Sequence, residues 1–536
     1  MPRELEYKPL LYTTTIRNPE RYKDFMCILK RFDGKILNDH TVELFERDLF
    51  KVGLYRPMIL PDSVKQKWAS TQRGEFADEP LTDVETATIY RRNDPNVNPD
   101  LKGHKEAGYP KGWPSRFETQ FKLMKVLGFV YYEWGKHIEF SQTGDYLADT
   151  VSISINEGVI SREIVNPRNE QIAFMQAFAK QQRRNPFVRE LNDNIPLILL
   201  LEVIKKLNAD DEYNGAGISY KEIPLVIFWK DNNAEALYQR IKLLRNEHRY
   251  DPSNEVIEDI CVNEILGGFK RFKLKSIVAE YPDEFVRKMR MTGLISFRGG
   301  GRFIDINHNE DAKIDYILSH YADYTKYITE REYFDHMATI DNALFALRTT
   351  EISKTAASEK LRQLIPDYPW DSIKTELSHL ANKTSSSHNV LKFISSPARL
   401  EFLTALAIKS KLPDVEVIPN YPCDDEGLPT STAGGNNGDI ECFETSNSIL
   451  VEVTMAEGRQ QTMLEVWPIS RHLEEFKNKY KDEDSQCIFV APSIFADTKD
   501  QIDWTKDRKQ VVIRPYKIVD FISYLDSATA LYCANV

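Results

Sequence analysis

Apolar side chains recur at helical spacing behind Trp113-Pro114-Ser115, at Phe117, Phe121, Met124 and Leu127. The pattern predicts a helix with Ser115 as its N-cap and Gly128 as its end. Two short runs follow, residues 129–132 and 137–140, around the turn Glu133-Trp134-Gly135-Lys136, and predict a two-stranded wing on that helix. The arrangement returns downstream. Residues 282–292 are helical in spacing, Gly293 ends them, and runs at 294–298 and 302–306 make a hairpin around Gly299-Gly300-Gly301. Between the two units lie a strongly apolar helix over 195–207, a helical unit opening at a serine cap over 218–223, and a helix over 232–246 carrying Arg240, Lys242 and Arg245. Near the start, the β-branched block 11–16 runs into the turn Asn18-Pro19, and an amphipathic helix over 20–31 closes at Asp33-Gly34. Residues 90–111 read as a long polar loop, a kind that often carries function. Polar helices are predicted over 312–327, 329–347 and 354–364, followed by a serine-rich, flexible stretch at 382–388.

The C-terminal block changes period. Two short apolar runs flank the polar turn Thr445-Ser446-Asn447-Ser448 and predict a β-hairpin. Side chains alternate across a strand, so Asp439 and Glu441 share a face, as do Glu452 and Thr454. A two-residue loop at Ser446-Asn447 would set Glu441 opposite Glu452 and Asp439 opposite Thr454, making Asp439 and Glu452 a diagonal pair. Ile440, Cys442, Ile449, Val451 and Val453 occupy the other face as core. Crowded carboxylates repel and lose hydration, which a divalent cation would offset with its preference for carboxylate oxygen. A polar face that simply meets water fits the same alternation. A helix to about residue 480 and buried strands at 487–492 and 510–514 complete an α/β pattern. The expectation is a multidomain α+β chain: helical and winged-helix units over 1–305, a helical linker over 306–390, and an α/β domain with a central mixed sheet over 391–536.

At 536 residues the chain is long enough for two to four domains. No apolar run approaches bilayer length, and Met1-Pro2-Arg3-Glu4-Leu5 offers no hydrophobic segment suited to secretion, so a cytoplasmic protein is expected. The six cysteines are scattered without Cys-x-x-Cys spacing, which argues against a zinc knuckle or a disulfide framework. Asn307-His308-Asn309 has no metal-ligand partners nearby and reads as a loop. Net charge is −11, yet residues 391–536 hold 15 Lys and Arg against 23 Asp and Glu, so most of the acidic excess lies there. The near-neutral remainder is free to carry a basic face, and local charge is what meets phosphates.

Asp439, then Glu452-Val453-Thr454 after one hairpin, with Glu401 on a preceding helix, resembles the PD-(D/E)xK nuclease core. More narrowly, the chain resembles the AlwI family of type IIS restriction endonucleases and their strand-nicking relatives. The pattern matches at Glu401, Gly438-Asp439, Val451 to Thr454, Glu465 and Arg471-His472, and beyond the core at residues 11–19, 113–117, 127–132, 141–144 and 228–234. One departure stands out: Thr454 occupies the place where most members of the broader nuclease group have a lysine.

The resemblance implies a magnesium-dependent type II site-specific deoxyribonuclease, with manganese as a substitute cation. It would recognise an asymmetric GGATC- or GAGTC-like site and cut a few nucleotides outside it. Asp439, Glu452 and Glu401 are the implied metal ligands, and Glu465 and His472 the groups standing in for the lysine. Partners implied are double-stranded DNA, a second copy or a small nuclease subunit for the second strand, and a cognate DNA methyltransferase of a prokaryotic restriction–modification system. Candidate DNA contacts are Thr14, Arg17, Arg116, Gln120 and Lys122, with Arg183, Arg184 and Arg240 from the later basic segments. Each also fits an ordinary solvated face or helix end. A strand-specific nicking enzyme, and a non-catalytic winged-helix DNA-binding protein, are the alternatives.

Overall fold

The computed structural model describes residues 5–12, 16, 18–69, 76–77, 79–103, 105–156, 158–213, 215–268, 272–350, 352–435 and 438–533. The chain folds into two compact units. Met1–Gln66, Leu81–Val151 and Arg168–Thr350 form the first, and Lys67–Pro80, Ser152–Pro167 and Glu351–Val536 the second. Among the described residues no helix is long and apolar enough to cross a membrane.

The first unit is mostly helical. Its Trp113–Val126 helix buries Phe117 and Phe121, which meet Phe45 edge-on from the Asp39–Lys51 helix. Ser115 is not its N-cap. The helix starts instead from Gly112 at φ 100°, with Pro114 in its first turn. The Ser115 hydroxyl donates to Pro110 O (2.7 Å) and accepts from Glu106 N (2.9 Å), closing the preceding loop. The strands Val130–Tyr131 and Glu139–Phe140 pair antiparallel after this helix. A second helix, Tyr281–Arg290, precedes the antiparallel pair Ile295–Arg298 and Phe303–Ile306. Gly299, Gly300 and Gly301 between them all have positive φ, a conformation most side chains resist. The serine-capped helical start expected at 218–223 is present: Ser219 ends the short strand Ile218–Ser219, which adds to Phe303–Ile306, and caps the turn Tyr220–Glu222 that leads into the helix Ile223–Phe228. The stretch 329–347 is two helices, Glu330–Ala338 and Asn342–Ala346, because Asp341 caps a new start.

Residues 311–350 belong to the first unit and 352–390 to the second, so the stretch expected as a linker is divided between them. The serine-rich segment is a built turn rather than a loose tether. Lys383 sits at φ 53°, Thr384 N donates to His379 O (2.8 Å), and His388 Nδ1 accepts from Val390 N and Leu391 N.

The second unit is organised on a five-stranded sheet: β1 Glu416–Pro419, β2 Ile440–Phe443, β3 Ser448–Val453, β4 Gln486–Ala491 and β5 Ile513–Lys517, in the order β5-β4-β3-β2-β1. β2 runs antiparallel to both its neighbours, β1 and β3, and β4 and β5 continue parallel to β3, a mixed sheet as expected. The apolar length of β3 and β4 reflects burial on both faces. Helix α1 (Ser396–Lys411) packs on β1 and β3. Helices α2 (Gly458–Leu464) and α3 (Val466–Tyr480) fill the crossover from β3 to β4. Val466, Ile469, Leu473 and Phe476 of α3 close a core with Leu450, Cys487 and Phe489. An earlier part of the chain completes the unit. The hairpin Val151–Asn156 and Val159–Ile164 lays its second strand on α2, where Gln460 Nε2 donates to Arg162 O (2.8 Å).

Candidate active site

The β2–β3 hairpin carries the acidic face. Its pairing is Ile440 with Val451, Glu441 with Leu450, Cys442 with Ile449 and Phe443 with Ser448. The loop is therefore the four residues 444–447, closed by Glu444 N to Asn447 O (2.9 Å), and the register lies two residues from the one expected. A two-residue shift leaves every side chain on its predicted face but changes who meets whom. Continued past β2, this register sets Asp439 level with Glu452 instead of diagonal to it. Glu441 does not face Glu452. It is drawn off by Lys354 Nζ (2.8 Å), Lys479 Nζ (2.9 Å) and Tyr480 OH (2.6 Å). Burial alone would raise its carboxyl, but these partners outweigh it and hold the group below the ordinary range. Glu441 is a structural anchor.

Four other carboxylates meet here, each with one oxygen held by the protein. Asp439 Oδ2 accepts from Val453 N (2.8 Å), which joins the two strands beyond the last paired residues. Glu401, buried on α1, accepts from Ala433 N on Oε2 (2.9 Å). Glu465, between α2 and α3, takes the Thr454 hydroxyl on Oε1 (2.7 Å). Glu452 Oε1 lies 2.9 Å from His472 Nδ1, and the other ring nitrogen, Nε2, lies 3.1 Å from Gly435 O. The space is tight: a Cβ on Gly438 would sit 2.3 Å from Leu450 Cδ1 and 2.9 Å from Glu452 Oε1.

Crowding out of water sets the electrostatics. Burial, then Glu452, holds the Asp439 carboxyl well above the ordinary range, and burial, then Asp439, does the same for Glu401. Burial and Glu465 push Glu452 up to about 8. Burial also raises Glu465 against the pull of the Thr454 hydroxyl, and it lowers His472. A carbonyl only accepts, so Nε2 of His472 carries its hydrogen toward Gly435 O. In the neutral ring Nδ1 is then an acceptor, which calls for a proton on Glu452.

No three His, Cys, Asp or Glu side chains among the described residues stand as a ready-made cation site. The donor set nevertheless suits a hard divalent cation, because it consists of carboxylate oxygens whose ionisation is opposed by burial and, after it, by the neighbouring carboxylates. A cation would supply the compensating charge, and the fit is chemical.

The expected DNA contacts fare unevenly. Thr14 and Arg17 lie outside the described residues. Gln120 is fully buried inside the first unit, among side chains such as Phe121 and Glu46, so it faces no base edge as it stands. Arg183 is buried too. Its Nη1 donates to Ile227 O (2.8 Å) and Trp229 O (3.1 Å), and Nε to Glu190 (3.4 Å). It ties three chain segments together and is no phosphate clamp. Arg184 pairs with Asp193 (3.3 Å), and Arg240 makes a two-pronged pair with Glu264 (2.7 and 2.8 Å). Arg116 lies over the Trp113 ring at 4.4 Å, and Lys122 is exposed. The sequence reading missed the backbone donors and acceptors of Ala433 and Gly435, for which Gly434-Gly435 was the available signal. It also missed the 152–164 hairpin, which carries no local mark of belonging to this unit.

A family model described as AlwI restriction endonuclease matches residues 126–365 and 350–523, well over half of the chain. No curated protein matches. Among solved structures, the small subunit of the heterodimeric restriction endonuclease R.BspD6I aligns at 23% identity over 31% of this chain and 83% of its own, with a TM-score of 0.25. The restriction endonuclease FokI aligns at 11% identity over 98% of this chain and 97% of its own, with a TM-score of 0.24. At these TM-scores neither likeness bears on the function.

Proposed function

The chain belongs to the AlwI restriction endonuclease family, and from that premise we propose a magnesium-dependent type IIS endonuclease that hydrolyses phosphodiester bonds a few nucleotides from an asymmetric site. The observation that supports it best is the β2–β3 register, which carried one residue further sets Asp439 level with Glu452, with buried Glu401 and half-buried Glu465 beside them. The helix-plus-hairpin pairs of the first unit are its DNA-reading, winged-helix elements in this proposal, with Arg116, Lys122, Arg184 and Arg240 as the contacts that keep an accessible side.

In this reading Asp439 and Glu452 are the principal cation ligands and Glu401 completes the set. Held by these carboxylates, a magnesium ion would supply activation of water and charge neutralisation at the scissile phosphate. The protein does the rest. The Val453 N–H holds Asp439 at a fixed angle, and the sheet keeps both carboxylates rigid. Glu465 orients the attacking water. His472, with Nε2–H fixed on Gly435 O, takes the Glu452 proton through Nδ1. Burial keeps bulk water away, which strengthens each of these interactions.

The test is a supercoiled-plasmid digest with magnesium, beside a calcium control and Glu452→Ala. Discrete linear fragments from the wild type alone, with cognate binding retained by the variant, support the proposal. Accumulated open circles would make the protein a strand-specific nicking enzyme that depends on a partner subunit. Unchanged supercoil in every lane would leave a non-catalytic DNA-binding protein.

A further inference from the structure

Thr454 stands where a lysine is the rule, and its hydrogen bonds give it a definite task. Its backbone continues β3, with Thr454 N donating to Val490 O (3.0 Å) beyond the last β3–β4 pair. Its hydroxyl accepts from Ala456 N (3.0 Å) and lies 2.7 Å from Glu465 Oε1. A hydroxyl carries one hydrogen. With the Ala456 N–H filling an acceptor position, that hydrogen has a single carboxylate to point at. Glu465 is fixed from its backbone as well: its N–H donates to Gln461 O (3.1 Å), and it is the residue from which α3 starts. Main chain and side chain together restrict where its carboxylate can point.

We infer that Thr454 is a positioning residue that aims Glu465 at the attacking water, so that the Thr454–Glu465 pair replaces the orienting half of the missing lysine's work while its positive charge goes unreplaced. The inference rests on the proposed nuclease site. A lysine would deliver a charge and three donors into the acidic cluster. The threonine delivers one directed donor and leaves a carboxylate, rather than an ammonium, nearest the water. Its effect belongs in the chemical step and not in substrate binding, because Thr454 meets neither Asp439 nor Glu452 through a hydrogen bond described here.

The test compares Thr454→Val, Thr454→Ser, Glu465→Gln and Thr454→Val/Glu465→Gln in the full-length protein, with Glu452→Ala as control. Thr454→Val is expected to lower kcat on the order of 10- to 100-fold, the usual loss when a ligand-orienting partner is removed. KM, and calcium-supported binding of cognate DNA, should stay within about twofold. Thr454→Ser keeps both hydrogen bonds and should restore kcat, and the double variant should be no slower than Glu465→Gln alone. Wild-type kcat in Thr454→Val, or losses that multiply in the double variant, would overturn the inference. Should the valine variant fail to fold, Thr454→Ala with a wild-type melting temperature takes its place under the same expectations. If Glu452→Ala also cuts, the nuclease site itself is misplaced; if it is inert while Thr454→Val cuts normally, only the role of Thr454 falls.

Discussion

Replacing Glu452 with glutamine should make the cation-free protein more stable while destroying its cleavage. Burial and Glu465 move the Glu452 carboxyl from its ordinary 4.5 up to about 8 in the folded chain. The unfolded chain ionises the same group at its ordinary value, so between pH 4.5 and 8 the folded state holds a proton that the unfolded state has lost. Stability therefore falls as pH rises through that window. At about 1.4 kcal/mol per pH unit, the cost to the folded state at pH 7 is about 3 kcal/mol. Glutamine keeps the shape, adds no charge, and offers an N–H that His472 Nδ1 can accept. Scanning calorimetry of chelator-treated protein is the assay. At roughly 2–4 °C per kcal/mol, Glu452→Gln should raise the transition of the nuclease unit by roughly 6–12 °C at pH 7. The difference should shrink below about 1 kcal/mol at pH 5, close to the value at which the unfolded chain takes up the same proton. Magnesium should stabilise the wild type and leave the variant unmoved, since only a binder of the folded state shifts the transition. Equal stability at pH 7, or a gain that persists unchanged at pH 5, would refute the argument that crowding strains this site.

Three further outcomes follow from the same geometry. Gly438→Ala should destabilise the nuclease unit by about 1–3 kcal/mol and cut activity together with cation affinity, because the new methyl overlaps Leu450 and presses on Glu452; urea unfolding and calcium titration check it. Arg183→Ala should destabilise the first unit by several kcal/mol, leaving Ile227 O, Trp229 O and Glu190 without their donor, yet keep the base preference of whatever binding survives, as a selection from randomised DNA would report. Residues 391–536 expressed alone should melt lower than the same unit in the whole chain, since they lack the 152–164 strands on α2; a fragment as stable as the whole would contradict that packing.

The acidic hairpin was legible because its signals are local. Alternation and the hairpin assigned Asp439, Glu441 and Glu452 to one face, and a two-residue slip, being even, could not undo it. Loop length was not legible, since Thr445-Ser446-Asn447-Ser448 accommodates two-residue and four-residue turns alike. That ambiguity misassigned Glu441, whose true partners Lys354 and Lys479 lie 87 and 38 residues away. The same limit governs Gln120 and Arg183. Their polarity reads as surface, but Arg183 spends its donors on carbonyls 44 and 46 residues distant, a need that no window of sequence displays. The 152–164 hairpin is the extreme case, joined to α2 across 298 residues through Gln460 and Arg162. Composition and periodicity define elements. They do not say which distant element shares a core.

The protonated cluster also fixes how a cation must bind. Glu452, pushed up to about 8, carries a proton at neutral pH that ligating a divalent ion requires it to release, and burial with neighbouring carboxylates holds Glu401 and Asp439 above their ordinary range in the same sense. Calorimetric titration with calcium in two buffers of different ionisation enthalpy should report on the order of one to two protons released per ion at pH 7. The apparent affinity should rise about tenfold per pH unit for each proton displaced, and flatten above about pH 8 as Glu452 loses its own. Glu465→Gln removes the charge that, after burial, raises Glu452 most, so Glu452 should then titrate closer to its ordinary value and cation binding should release fewer protons. Binding with no proton release would mean that the carboxylates are already ionised in the cation-free protein. The charge that keeps them so would then have to come from a cationic partner other than His472, the only such group hydrogen-bonded to the cluster among the described residues.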